Sequence, residues 1–245
     1  MKKSLTNLKV AVYYDWLTQW GGAERVLLDI LTLFPQAEIF TLFHNSQNTS
    51  WLPTDFKIHT SFINSSSPLL SPFYDLAVEN FNFAKFDLVI STTTNVGHSL
   101  LTPPQSLFIC YYHNLNRHLY QNQNILLSPL LKFYQKIDYI YARRPDYSIC
   151  NSQTVKKRLA KILKISAKVI HPGIDTQFFT PGSLKPQNYF LIVNRLVPHK
   201  KIDYAIRTFQ KMPFTLKIVG AGRDLPRLKN IASSSNNIEF LGQVS

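Results

Sequence analysis

Three features of the sequence predict an α/β protein of two doubly wound, Rossmann-like units, the second incomplete. Short runs rich in β-branched and aromatic residues alternate with longer segments of helical period. The strand-like runs are almost continuously apolar, as strands covered on both faces of a parallel sheet are. The alternation breaks once, at HPGIDTQFFTPGSLKPQ (171–187), which has three prolines, two glycines and no period, and then restarts.

The elements follow in order. LKVAVYY (8–14) reads as a buried strand, and GGAER (21–25) hands it over to a helix across 22–34. In that helix Val26, Leu27, Ile30, Leu31 and Phe34 share one face at i, i+4 and i+8 spacing. AEIFTLF (37–43) is the next strand. The Asn-, Ser- and Thr-rich stretch 45–64 reads as loop, and a helix is expected over 70–82. DLVIST (87–92), SLFICYY (106–112), DYSICN (146–151) and KVIH (168–171) are further strands, with helices over 128–144 and 152–164. Residues 1–171 thus form an N-terminal domain, and 172–187 a linker. Residues 188–245 read strand (188–194), helix (200–210), strand (214–220), helix (224–233) and strand (237–242), the first half of a second doubly wound domain.

At 245 residues with 45% hydrophobic and 17% charged side chains, the chain can build sizeable cores and has a soluble protein's composition. No window approaches the ~20 consecutive apolar residues that cross a bilayer. No small-residue cleavage site follows an apolar core at the N-terminus, so no secretory signal is expected. Cys110 and Cys150 sit inside apolar runs and read as buried free thiols in a reducing compartment. A cytoplasmic location is expected, and the sequons at Asn48 and Asn64 then carry no meaning. Charge is uneven: residues 1–120 hold 7 Lys+Arg against 8 Asp+Glu, whereas residues 121–245 hold 20 against 6. A basic half suits a polyanionic partner, whether nucleic acid, an anionic membrane face or a phosphorylated ligand.

Seven scattered histidines without HxxxH or CxxC spacing argue against a structural zinc site, and no serine stands in a GxSxG elbow. GAGRDL (220–225) follows a strand and precedes a helix, but Leu225 takes the third glycine's place of a dinucleotide fingerprint. The strand-to-helix junctions are more informative, because open α/β sheets bind ligands at their strands' carboxyl ends. There the sequence places Asp15, Gly21 and Gly22 after the first strand, and His113 and Arg117 in YYHNLNRHLY. Arg195 and Lys200 lie in VNRLVPHKK, and Gly220 and Gly222 follow the next strand. A helix start with free N–H groups and two cations suits a diphosphate, onto which Arg195 can fork while Lys200 adds a point charge.

GGAERVL, NSQTVKKRLAKI, VIHPGIDTQFF, VNRLVPHKKIDYAI, IVGAGRDLPRLKNIA and IEFLGQVS resemble, in order, segments of GT-B glycosyltransferases of the family-4 type. YYDWL, IFTLFHN, KIHTSFI and DLVISTT…YYHNLNRHLY are similar to a subgroup of bacterial mannosyltransferase-like enzymes that build surface polysaccharides. Arg117 matches that subgroup, whereas Asn114, Leu115, His118 and Tyr120 depart from it. The resemblance implies a nucleotide-sugar donor held between two Rossmann-like domains, transfer with retention at the anomeric carbon, and no metal or other cofactor. It implies that Arg195 and Lys200 stabilise the leaving diphosphate, that His113 bonds a hydroxyl of the transferred sugar, and that Gly22 gives room to donor or acceptor. Asp15 is an acceptor-side candidate. The donor expected is GDP-mannose, and the acceptor a glycan or polyprenyl-linked glycan.

Family members continue through a donor-gripping loop with two glutamates and a final helix that crosses back to the first domain. The chain is therefore expected to be a C-terminally truncated fragment, poorly stable or inactive alone. The basic segments 130–144 and 155–168 suggest peripheral contact with an anionic inner membrane face. In the second segment Val155, Leu159, Ile162 and Leu163 form a stripe that faces the core. Two other readings stay open: a non-catalytic remnant that binds a nucleotide or a partner, and a basic nucleic-acid-binding α/β protein. The latter leaves the ordered junction motifs unexplained, so no nucleic-acid partner is expected.

Overall fold

A computed structural model describes residues 7–63, 68–120, 128–180, 182 and 187–244. The chain divides into two compact units, Met1–Asp175 and Thr176–Ser245. Residues 172–175 of the segment read as linker thus belong to the first unit.

The first unit is built on β1 (Val10–Leu17), β2 (Glu38–His44), β3 (Ile58–Thr60), β4 (Leu88–Thr93), β5 (Leu107–Tyr112), β6 (Tyr147–Cys150) and β7 (Lys168–Val169). All pair in parallel, in the order β3-β2-β1-β4-β5-β6-β7. β1 shows why both faces must be covered. Ala11 and Tyr13 enter one core with Phe40, Phe108 and Leu159, while Val10, Val12 and Tyr14 enter another with Leu27, Leu31 and Ile39. Successive side chains of a strand point to opposite faces, so an unbroken apolar run fills two cores at once. Full burial of a side chain such as Leu27 contributes about 1.5–3 kcal/mol.

Helix α1 (Gly22–Leu33) buries Val26, Leu27 and Leu31, as its spacing predicts. Helix α5 (Gln153–Ile162) buries Val155 and Leu159, and the Ser152 hydroxyl accepts from the Val155 N–H as its N-cap. Ile162 departs from the expected stripe and stands 36% exposed, whereas Leu163 is buried.

Two expectations are corrected. The stretch 45–64, read as loop, contains β3, which pairs with β2 through Ile58, His59 and Thr60. Three residues at a sheet edge leave no alternation long enough to detect, and Asn64 lies outside the described residues. The helix expected over 70–82 is a 3-10 helix, Pro68–Phe73, followed by a short α2, Tyr74–Glu79. Pro72 has no N–H to donate, so an α-helix cannot run through it. Helix α3 (Arg117–Tyr120) was too short to anticipate, and α4 spans Ser128–Tyr141.

The second unit pairs β8 (Tyr189–Val193), β9 (Thr215–Val219) and β10 (Ile238–Gly242) in parallel, in the order β10-β9-β8. Helices α6 (Ile202–Phe209) and α7 (Leu225–Ala232) cover one face, where Leu196, Ile202, Ile206, Leu216, Ile218 and Leu228 form the core. The second Rossmann-like domain is present as three strands and two helices. Among the described residues β8 pairs only with β9, and Leu191 and Val193 are exposed on it.

Candidate functional site

The strand order of the first unit reverses direction between β1 and β4, and ligand crevices of open α/β sheets open at such a switch point. Two connections leave it. Beyond β1 the chain reaches α1 with Gly21 as N-cap in extended geometry, and no side chain caps the helix. A Cβ at Gly22 would meet nothing within 4 Å, whereas one at Gly21 would come within 2.9 Å of Glu24 Oε2. The first N–H groups of a helix have no partners inside it and carry the positive end of the dipole. Behind them Glu24 is buried and accepts the Tyr14 hydroxyl proton at 2.6 Å, which ties the first turn to β1.

The run STTTNVGHS (91–99), which ends β4 and continues past it, links three strands. Asp15 is buried in β1 and accepts from Thr93 Oγ1 (2.7 Å), the Thr94 N–H (2.6 Å) and Thr94 Oγ1 (3.2 Å). Burial pushes its carboxyl above the usual carboxylate range, against the pull of these bonds. Both oxygens are thus engaged in holding β1 to the β4 connection, which makes Asp15 a positioning residue of the crevice. Thr93 Oγ1 in turn accepts from the N–H groups of Asn95 (2.9 Å) and Gly97 (3.0 Å). A side chain at Gly97 would run into Ser91 and Thr93, so the turn closes only around glycine. Thr92 Oγ1 reaches His113 Nε2 at 2.7 Å on the other side.

His113 follows β5. Its N–H donates to the Thr93 carbonyl (2.9 Å), and its own carbonyl accepts from Asn151 Nδ2 (3.0 Å). Burial lowers the imidazole pKa to about 4, so the ring is neutral at physiological pH. Among the described residues its Nδ1 takes no hydrogen bond. Arg117 is exposed at the start of α3, three residues beyond Asn114, whose Oδ1 accepts from Arg158 at 3.0 Å. Asn116 bonds Asn95 across the same edge. The first unit thus brings Asp15, Gly21, Gly22, His113 and Arg117 to the carboxyl edge of one sheet.

Sequence reasoning missed what lies beneath. His98 is buried, bonds Asp138 Oδ1 at 2.9 Å and stacks on Tyr112, while the Tyr120 hydroxyl donates to Asp138 Oδ2 at 2.6 Å. Burial alone would lower the His98 pKa, but the nearby carboxylates, Asp138 first, raise it, which favours the charged form of the ring under the β4 connection. Three consecutive threonines and an asparagine across the end of a strand were the available signal for this hub.

In the second unit Arg195 and Lys200 are exposed between β8 and α6, Lys200 closing a 3-10 turn Pro198–Lys200. Gly220 and Gly222 follow β9 and meet the segment that carries Arg195. The Leu196 N–H donates to the Ala221 carbonyl (2.8 Å), and the Asp224 N–H to the Leu196 carbonyl (3.0 Å). A Cβ at Gly220, whose φ is +135°, would collide with the Asn194 carbonyl oxygen, and one at Gly222 with that of Leu196. These glycines therefore admit the chain's own backbone and fix the path of the Arg195 segment. Arg227 clasps Asp224 through two bonds, at 2.7 and 2.8 Å, and steadies the start of α7.

Cys110 and Cys150 are buried free thiols, and burial raises the pKa of both. Among the described residues no group of three His, Cys, Asp or Glu could hold a metal, and no helix is long and apolar enough to cross a membrane.

Two Rossmann-like units, each with glycines and exposed cations at its strand ends, have the architecture of the GT-B fold. The chain belongs to Glycosyltransferase Family 4, whose profile matches residues 20–178, and is by family a glycosyltransferase. It is similar in fold to HepE of Anabaena, solved with UDP, at a TM-score of 0.65 and 16% identity, covering 97% of this chain and 70% of that one. It is similar also to the lipopolysaccharide outer core galactosyltransferase WaaB, at a TM-score of 0.60 and 16% identity, covering 97% and 69%. No curated protein sequence matches it significantly.

Proposed function

We propose that the protein transfers a hexosyl group from a nucleoside-diphosphate sugar to a glycan or polyprenyl-linked glycan acceptor, with retention at the anomeric carbon and without a metal. The observation that carries this reading is the uncapped start of α1, open at Gly22, at the topological switch point of a Family 4 domain. N–H groups and dipole there favour a phosphate of the donor or an anionic acceptor.

Departure of the leaving group concentrates negative charge on the diphosphate. Arg195 can bind two of its oxygens at once and Lys200 adds a compact charge, so both interactions strengthen toward the transition state. Gly220 and Gly222 set the backbone on which Arg195 stands. His113 is held by Thr92 and is neutral, which suits a hydrogen bond from Nδ1 to a sugar hydroxyl better than proton donation to a leaving group. Arg117 lies on the acceptor side. Mannose from GDP-mannose is the donor favoured by the sequence resemblance, while HepE, solved with UDP and with UDP-glucose, makes UDP-glucose its competitor. The setting proposed is the cytoplasm, with peripheral contact at the inner face of the membrane.

Saturation-transfer NMR with GDP-mannose, UDP-glucose and UDP-N-acetylglucosamine tests the reading. One donor should give protein-to-ligand transfer that its own nucleoside diphosphate competes away. Silence with all three donors and with both nucleoside diphosphates would contradict it.

A further inference from the structure

The asparagine- and serine-rich connection after β2 takes no part in the donor chemistry, yet its hydrogen bonds hold an aromatic ring in place. The Asn45 N–H donates to the Leu17 carbonyl at 2.8 Å, which staples the connection to the end of β1. Asn45 then caps the 3-10 turn Ser46–Asn48, its Oδ1 accepting from the Gln47 N–H at 3.1 Å. Thr49 is buried, and its Oγ1 meets the Asn45 carbonyl (3.0 Å) and His44 Nε2 (2.8 Å). The turn delivers Trp51 to the core around Leu27 and Ile39, where it packs part-buried with its indole nitrogen inward. Trp20, from the connection between β1 and α1, lies on Trp51 with ring centroids 5.2 Å apart and planes tilted by 52°. Even so Trp20 is 48% exposed, and it stands directly before Gly21 and the open Gly22. The surroundings in sequence are polar and uncharged: residues 16–23 and 45–54 contain no Lys, Arg, Asp or Glu, and Gln19, Ser46, Gln47 and Asn48 are exposed.

We infer that Trp20, backed by Trp51, is the platform on which an uncharged pyranose unit of the acceptor stacks. The inference rests on the transfer reading and deepens it, by naming the part of the acceptor that the first unit grips. A pyranose turns a face of C–H bonds, apolar and weakly positive at hydrogen, toward the negative face of an indole ring. Its rim is hydroxyl groups, which side-chain amides serve as donor and acceptor at once. An acidic sugar would need a cation, and neither connection carries one. A polyprenyl chain would leave the amides without partners. The start of α1 keeps its attraction for phosphate, and the ring bound beside it is neutral. Trp16 is no rival platform, because it is part-buried and stacks on Phe43 at 5.9 Å.

The test is saturation-transfer NMR of the full chain, without donor, with the methyl glycosides of mannose, glucose, galactose and N-acetylglucosamine and with methyl glucuronide. At least one neutral glycoside should receive saturation, strongest at the C–H protons of one ring face, and the glucuronide should receive little. Trp20→Leu, which keeps apolar bulk, should weaken that binding about fivefold, whereas Trp20→Phe, which keeps a flat ring, should retain most of it. Trp20 is half in solvent, so both variants should show the wild-type circular dichroism spectrum. Silence with every neutral glycoside, an equal signal from the glucuronide, Trp20→Leu binding like wild type, or Trp20→Phe as weak as Trp20→Leu would overturn the inference. Displacement of the glycoside by uridine or guanosine would also overturn it, by assigning the ring to the base of a nucleotide. Because no donor is present, the two readings fail separately: glycoside binding that requires Trp20, in a chain silent to every nucleotide sugar, would strike the transfer reading and leave the platform.

Discussion

His113 illustrates how one side chain's surroundings decide its chemistry. Thr92 bonds one ring nitrogen and burial lowers the pKa to about 4, against about 6.5 for a free imidazole. A histidine with a depressed folded pKa contributes stability that is complete above its unfolded pKa and is lost as pH falls toward its folded one. The window is therefore pH 6.5 down to about 4, and the contribution is at most about 3 kcal/mol. Urea unfolding at pH 7 and pH 4 measures it: His113→Gln should lose less stability over that interval than wild type. An unchanged acid limb would show that the ring is not desolvated as described. The sequence marked His113 by its place after a strand, but not Thr92, because a threonine's partner depends on which strand lies next to it. Asp15 shows the same limit. Its position at a strand end was legible, whereas the three bonds that turn it into a strap across β1 and β4 were not.

At the scale of elements, two strand-to-helix junctions look alike in sequence and differ physically. Gly22 opens α1 into space, while Gly220 precedes α7 and presses on the Asn194 carbonyl. Gly22→Ala should leave the melting temperature unchanged or slightly raised, since alanine is the better helix former. Gly220→Ala should destabilise the second unit by about 3 kcal/mol or more, through clash and a φ that an L side chain rarely adopts. Thermal unfolding of the pair separates a glycine kept for a ligand from one kept for the chain; a Gly22→Ala chain as unstable as Gly220→Ala would remove the distinction. Long elements, such as α1 with its steady period and β1 with its unbroken apolar run, were legible, although β1 continues to Leu17, three residues past the run read as strand. Those that escaped, β3 and α3, are three and four residues long and owe their form to the neighbour they pair or pack with.

For the whole molecule, the alternation of apolar runs and helical periods implied parallel sheets, and the glycine- and proline-rich break implied two units. The order β3-β2-β1-β4-β5-β6-β7 was not legible, because every strand is apolar enough to occupy the middle. That order puts the switch point beside Gly22 and so turns a glycine pair into a candidate phosphate site. The uneven charge likewise acquired a location only once α4 and α5 had inner and outer faces. The proposed transfer depends on Arg195 and Lys200 gripping the diphosphate of a nucleotide sugar. Isothermal titration of the wild-type chain and of Arg195→Ala with GDP-mannose and UDP-glucose tests it most directly. One donor should bind wild type, and Arg195→Ala should bind it about 10- to 100-fold more weakly, as loss of a charged hydrogen bond implies, with an unchanged melting temperature. Equal affinity of the two proteins for that donor would contradict it.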